Sequence, residues 1–169
     1  LLDSLMQPRW TSLVPSSCTA TAPAYDLPVA LVDVITGEPI TARWFVDYDQ
    51  QNSARCPPAK PEDVITGPGD QAADPTRRTV PPYHFAPYDH DPVLGGPDPA
   101  APGVIHVVEL VVSNQFDAAS DLVSLCTPAI PTTTFPFRTP ASQDGVHFET
   151  QVYRWVFVNV PASASVPCP

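Results

Sequence analysis

The stretch that decides the fold is ARWFVDYD, Ala42 to Asp49. Ala42, Trp44, Val46 and Tyr48 alternate with Arg43, Phe45 and Asp47. That is the period of a β-strand, in which successive side chains point to opposite faces. Apolar and aromatic residues occupy both faces, as in a central strand covered on more than one side. The stretch ends in two carboxylates, Asp47 and Asp49, which read either as part of a cation site or as the solvated exit of a core strand.

Two more segments alternate as strongly. In VIHVVELVVS, Val104 to Ser113, His106 shares a face with Val108, Leu110 and Val112, and Val107, Glu109 and Val111 take the other. In Gln151–Val160, Tyr153, Trp155 and Phe157 oppose Val156, Val158 and Val160. Weaker strands are Pro28–Ile35 and Arg78–Tyr83; the second contains Pro and belongs at an edge. The turn signal TGEP, Thr36 to Pro39, predicts a hairpin from Pro28–Ile35 into Thr41–Tyr48. The pentapeptide DVITG occurs at Asp33–Gly37 and Asp63–Gly67, but the flanks differ, so it reads as two similar turns rather than a repeat.

Proline dominates the composition: 24 Pro among 169 residues, against a usual share of about 5%. Pro removes a backbone donor and clashes inside a helix, so long helices are excluded. Half of these prolines fall in Ala54–Gly103, which reads as a loop-dominated insertion. Asn114–Thr150 reads as a second long connection, with a short helix at Asp117–Cys126 and an extended run at Thr127–Pro140. The chain divides into an N-terminal arm (1–24), one sandwich domain (25–160, with insertion 54–103 and connection 114–150) and a C-terminal tail (161–169). A helical turn is expected before Pro8.

The formal charge of −10 argues against nucleic acid, which requires a basic stripe to offset phosphate. No apolar stretch reaches the length of a membrane-spanning helix. Cys18, Cys56, Cys126 and Cys168 form no C-x-x-C pair, which removes zinc-ribbon and thioredoxin-type motifs. Their wide spacing suits two long-range disulfides in an oxidising compartment. Three connectivities are open; Cys18–Cys168 with Cys56–Cys126, preferred here, would tether the two tails and one long loop. A signal peptide or lipid anchor upstream of Leu1 is compatible with this reading.

The pattern of strong strands, long Pro-rich loops and few helices gives an all-β sandwich. With Trp44 in ARWFVDYD, GVIHVVELVVSNQF (Gly103 to Phe116) and QVYRWVFVNV, the chain resembles immunoglobulin-like or PKD-like antiparallel β-sandwiches of bacterial exported or cell-surface proteins. The resemblance makes Trp44 the core Trp of strand C, Gly103–Phe116 strand F and Gln151–Val160 strand G. It also implies roles in adhesion, ligand binding or spacing. The chain departs from immunoglobulin domains in lacking a Cys pair around Trp44, and in carrying Ser124 where a Tyr would precede the second Cys.

Candidate chemistry is sparse. Asp47 and Asp49, a D-x-D at a strand end, supply oxygens of the kind Ca²⁺ or Mn²⁺ requires. The cluster YHFAPYDHDP, Tyr83 to Pro92, adds His84, Asp89, His90 and Asp91, whose imidazoles and carboxylates suit divalent ions. The two sets would form one site only if the loop folds over the strand end. Tyr83, Tyr88 and Trp10 are candidate sugar platforms. His106 reads as a strand-end histidine. Glu109 needs a cationic partner such as Arg43 or Arg154, and the two Arg-Trp pairs suggest Arg stacked on an indole. No G-x-S-x-G elbow, S-x-x-K or Gly-rich phosphate loop is present.

The sequence therefore points to a non-catalytic, extracytoplasmic structural or binding module without a cofactor, acting through protein partners at the cell surface, in the envelope or in a secreted assembly. If the chain is a subunit, its contacts are expected at Thr127–Pro140 and the N-terminal arm. The competing expectation is a metal-dependent or carbohydrate-binding sandwich using Asp47, Asp49 and the His84–Asp91 loop, with Ca²⁺ or another divalent cation.

Overall fold

The computed structural model describes residues 11–32, 37–49, 56, 58–66, 76–92, 94–114, 116, 142–143, 146–147 and 150–169. Its strands are β1 (Thr11–Ser16), β2 (Tyr25–Val32), β3 (Ile40–Val46), β4 (Asp63–Ile65), β5 (Arg77–Phe85), β6 (Ile105–Ser113), β7 (Ser142–Gln143), β8 (Val146–His147) and β9 (Thr150–Pro161). The chain is all-β, with a single 3₁₀ turn at Pro87–Asp89 among the described residues. One sheet has the order β1-β9-β6-β3-β4; β2 and β5 form a second sheet, and β7 and β8 a short ribbon. The long apolar strands are central, as their two-sided patterns require. β6 pairs antiparallel with both β3 and β9, and β1 runs parallel to β9.

The alternation read from the sequence sets the core. Ala42, Trp44 and Val46 of β3, Val108, Leu110 and Val112 of β6, and Tyr153, Trp155 and Phe157 of β9 line one face of the larger sheet. Leu27, Val29 and Leu31 of β2 with Val80, Tyr83 and Phe85 of β5 meet them from the smaller sheet. At the centre Trp44 stacks on Tyr83, 5.4 Å between centroids, and on Trp155 at 5.6 Å. Trp44 and Trp155 are both 0% exposed. Their indole N–H groups have no partner among the described residues, so packing area and ring contact must outweigh that cost.

The far face of the larger sheet is covered by a smaller cluster of Phe45, Val111, Cys56 and Phe116, with Tyr48 packed against it. Arg43 lies on this face, pairs with Glu62 at 2.8 Å and places its guanidinium 4.2 Å from the centre of the Phe116 ring. Stacking therefore falls on a phenyl ring and not on the neighbouring indole, because Arg43 and Trp44 point to opposite faces. Glu109 accepts hydrogen bonds from Arg154, its cross-strand neighbour.

Several expectations are corrected. No hairpin joins β2 to β3: the two lie in different sheets, and β2 pairs with β5. Both strands carry a buried apolar face, so they oppose each other across the core instead of lying side by side. The prolines place β5 as foreseen: it pairs on one side only, and between Leu27↔Tyr83 and Val29↔Val80 the register shifts. There Pro28 faces Pro81 and Pro82, residues that have no N–H to donate. The second DVITG is not only a turn, since Asp63–Ile65 forms edge strand β4 beside Ile40–Ala42. Tyr48 leaves the Trp44 face and meets Phe45 edge-on at 5.2 Å, because Asp47 interrupts the strand. Residues 11–16 of the N-terminal arm are built into the sheet as β1. The Asp117–Cys126 helix, the extended Thr127–Pro140 run and the turn before Pro8 lie outside the described residues.

Two further ties hold the layers. Arg78 of β5 is 0% exposed and donates from Nη1 to the carbonyls of Glu38 (2.6 Å) and Ile65 (3.2 Å). This joins the smaller sheet to the strand ends of the larger. Cys18 and Cys168 form a disulfide across 150 residues of sequence. Cys56 is buried, and its expected partner, Cys126, lies outside the described residues.

Trp44→Ala removes the ring shared by three strands and is expected to cost about 3–5 kcal/mol. Trp44→Phe, which keeps part of the stack, should cost clearly less. Urea denaturation followed by circular dichroism measures both.

Candidate functional site

The site builds from the residue that ends β3. Asp47 adopts φ 49°, a left-handed conformation that Asp tolerates better than most residues. The bend ends the alternation and turns the carboxylate back under the sheet, where it is 1% exposed. The Asp47 N–H donates to the carbonyl of Val107 at 2.8 Å, and the Val107 N–H donates to Asp47 Oδ1 at 2.7 Å. The side chain thus takes the place that a backbone carbonyl would hold in a continued ladder.

Asp47 Oδ2 lies 2.7 Å from Nδ1 of His106. A carboxylate there can only accept, so the geometry places the imidazole proton on Nδ1. Nε2 of His106 is then left with its lone pair; it is buried and has no partner among the described residues. The ring is 0% exposed and meets Phe85 edge-on at 5.9 Å. On Phe85 stacks His90, 5.5 Å between centroids with planes 23° apart. The chain of contacts therefore runs from Asp47 through His106 and Phe85 to His90. It brings one acid of the D-x-D and one histidine of the Tyr83–Pro92 cluster to the same end of the sandwich.

The pair His106–Asp47 was not legible from sequence. The alternation puts His106 on the core face, but its neighbour follows from the β3–β6 register, in which Phe45 pairs with Glu109 and Val46 with Val108. Two positions on, that register brings Asp47 beside residues 106 and 107.

Of the other residues considered for a cation, Asp49 is half-buried, while Asp89 and Asp91 are exposed. Both oxygens of Asp47 are already engaged. Among the described residues no group of three or more His, Cys, Asp and Glu side chains is disposed to hold a metal ion. His84 is exposed on the face of β5 opposite buried Phe85 and lies 2.9 Å from exposed Asp26.

Of the two tyrosines considered as sugar platforms, Tyr83 is a core ring against Trp44, 8% exposed, and so offers no open face. Tyr88 is half-buried. Its hydroxyl donates to the carbonyl of Pro15 at 2.6 Å and accepts from the N–H of Cys18 at 3.2 Å. Trp10 lies outside the described residues.

The electrostatics of this end centre on His90. Burial pushes its imidazole below the ordinary histidine range. Asp47 pulls the other way, His106 adds to the lowering, and Asp89 and Asp91 oppose it. What the arrangement does chemically is hold a proton on a fixed atom, His106 Nδ1, and make a second imidazole at the same end less basic than an ordinary histidine.

No protein-family model, no curated protein and no solved structure matches the chain.

Asp47→Ala strands the His106 Nδ1–H and the Val107 N–H in the interior and puts a Cβ-only side chain at positive φ. The expected cost is about 2–4 kcal/mol. Asp47→Asn, which retains one acceptor and tolerates the same φ, should cost less; denaturant midpoints compare the two. The pH dependence follows from the direction at His90. The folded chain holds that proton less tightly than the unfolded one, so as pH falls below about 6.5 the unfolded state binds it first. Stability from this source is complete above that pH and is lost as pH drops through the folded value. Denaturation at about pH 7.5 and about pH 5 should show His90→Gln losing less stability on acidification than the parent chain.

Proposed function

We propose that the chain is a non-catalytic, extracytoplasmic module, an immunoglobulin-like β-sandwich that serves binding or structure through protein partners. The Cys18–Cys168 disulfide carries this reading. Disulfides persist where the surroundings are oxidising, and a bond spanning nearly the whole chain restrains an unfolded state that would otherwise be very open. The strand order supports the sandwich type. β9, β6 and β3 lie side by side as strands G, F and C would, with the parallel β1 outside β9, and β2 and β5 form the opposing sheet. Trp44 fills the core from the C-like strand.

Of the residues that a metal-dependent reading requires, Asp47 holds His106 and closes β3 against β6, which supports a structural role for it. A structural role also suits the edges. β2 and β5 carry Pro28, Pro81 and Pro82, and β4 has three residues, features that blunt edge-to-edge pairing. Contacts with partners are assigned to Thr127–Pro140 and to the part of the N-terminal arm outside β1, because Pro-rich chain orders at low entropic cost.

Non-reducing peptide mapping of protein recovered from its producing cells tests this reading. Expected are two cross-linked peptide pairs, Cys18–Cys168 and Cys56–Cys126, in the envelope or medium fraction. Four free thiols in a cytosolic fraction would contradict the compartment. Reducing the folded protein should lower its stability by about 2–5 kcal/mol.

A further inference from the structure

The loop from Ala86 to Pro92 connects two features at one end of the sandwich. Toward the core, His90 stacks on Phe85, and Phe85 touches the His106 ring that Asp47 holds. Toward the edge, Tyr88 bridges the Pro15 carbonyl and the Cys18 N–H, fastening the end of β1 next to the disulfide. The backbone bonds from Asp89 to Ala86 and from His90 to Pro87 are internal to the loop. These two bonds stay intact if the loop is displaced, while Pro87, which is buried, would be uncovered.

We propose that this loop is an acid-sensitive clasp. With His90 neutral it lies over the Asp47–His106 pair and holds β1. With His90 protonated it lifts away, frees Tyr88 from Pro15 and Cys18, and gives water access to Nε2 of His106.

The groups that face His90 are Asp47 from β3, His106 from β6, and Asp89 and Asp91 from the loop itself; Tyr25 of β2 interacts with Tyr88. The three carboxylates favour a cation at His90, and the Phe85 face would add a cation–π contribution. Burial and His106 act against it and outweigh them, since the imidazole sits below its ordinary range with burial the largest cause. A protonated His90 is thus better placed in water than on Phe85, and moving there draws buried Pro87 and the core-packed Tyr88 ring outward with it. A device of this kind uses a histidine because its charge changes near physiological pH. It does not depend on the compartment or the partners proposed above.

Amide hydrogen exchange of the whole chain, read by NMR and corrected for intrinsic rates, tests the clasp at Cys18. Between about pH 7 and about pH 5, protection of the Cys18 amide should fall measurably while Trp44 and Leu110 stay protected. His90→Phe keeps an uncharged ring on Phe85 and should retain Cys18 protection at the lower pH. His90→Gln gives the same readout if the larger ring disturbs the fold. Tyr88→Phe should lose the protection at both pH values. Protection that does not change with pH in the parent chain, or an equal loss in the neutral His90 variants, would overturn the proposal. Survival of the protection in Tyr88→Phe would overturn the link to β1.

Discussion

Trp44 is the ring on which both sheets depend. It projects from β3, stacks on Trp155 within its own sheet and on Tyr83 from the opposing one, and is wholly enclosed. Three strands distant in sequence are thereby fixed at one point. Everything else at the interface is alternation carried outward from that point: Ala42 and Val46 on either side of it, Val108 to Val112 on β6, Tyr153 and Phe157 on β9. Since a close-packed core transmits strain rather than absorbing it, the placement of this indole constrains the register of β3 with β6 and hence the position of Asp47.

The ties at the margins of this core are polar and differ in kind. Buried Arg78 reaches backbone carbonyls at Glu38 and Ile65 and binds the smaller sheet to the β3–β4 side. Elsewhere Asp47 and His106 replace a stretch of ladder by side-chain hydrogen bonds, and the Tyr88 loop and the Cys18–Cys168 bond fasten β1 and the C-terminal tail. The Asp47 and Tyr88 ties pass through one carboxylate, one imidazole and one phenol. With the proposed clasp, the end that carries Tyr88 and His90 opens and closes while Arg78 keeps the sheets joined.

Much of the architecture was legible because strand period is a local property. The three strong strands, their core-facing residues and the edge position of β5 follow from alternation and from Pro81 and Pro82. Non-local choices were not legible. Whether Pro28–Ile35 pairs with its sequence neighbour or faces it depends on the whole core, and β4 is too short to carry a period. The Glu109–Arg154 pair was foreseeable from charge and alternation, whereas the Arg43 stack on Phe116 depended on which loop covers the far face. At the site, Asp47 and His90 attract notice as acid and imidazole, but the sequence suggests solvent or metal for them. Their actual surroundings follow from a left-handed residue at a strand end and from a register between strands about sixty positions apart, neither of which composition encodes.

The opposition of β2 and β3 across a Trp44-centred core is the claim on which the rest stands. Cross-strand nuclear Overhauser contacts in the folded protein measure it directly. Expected are backbone contacts between Leu31 and Arg78 and between Leu13 and Val158, and ring contacts from Trp44 to both Tyr83 and Trp155. Backbone contacts pairing β2 with β3 as a hairpin, with Trp44 apart from Tyr83, would contradict it.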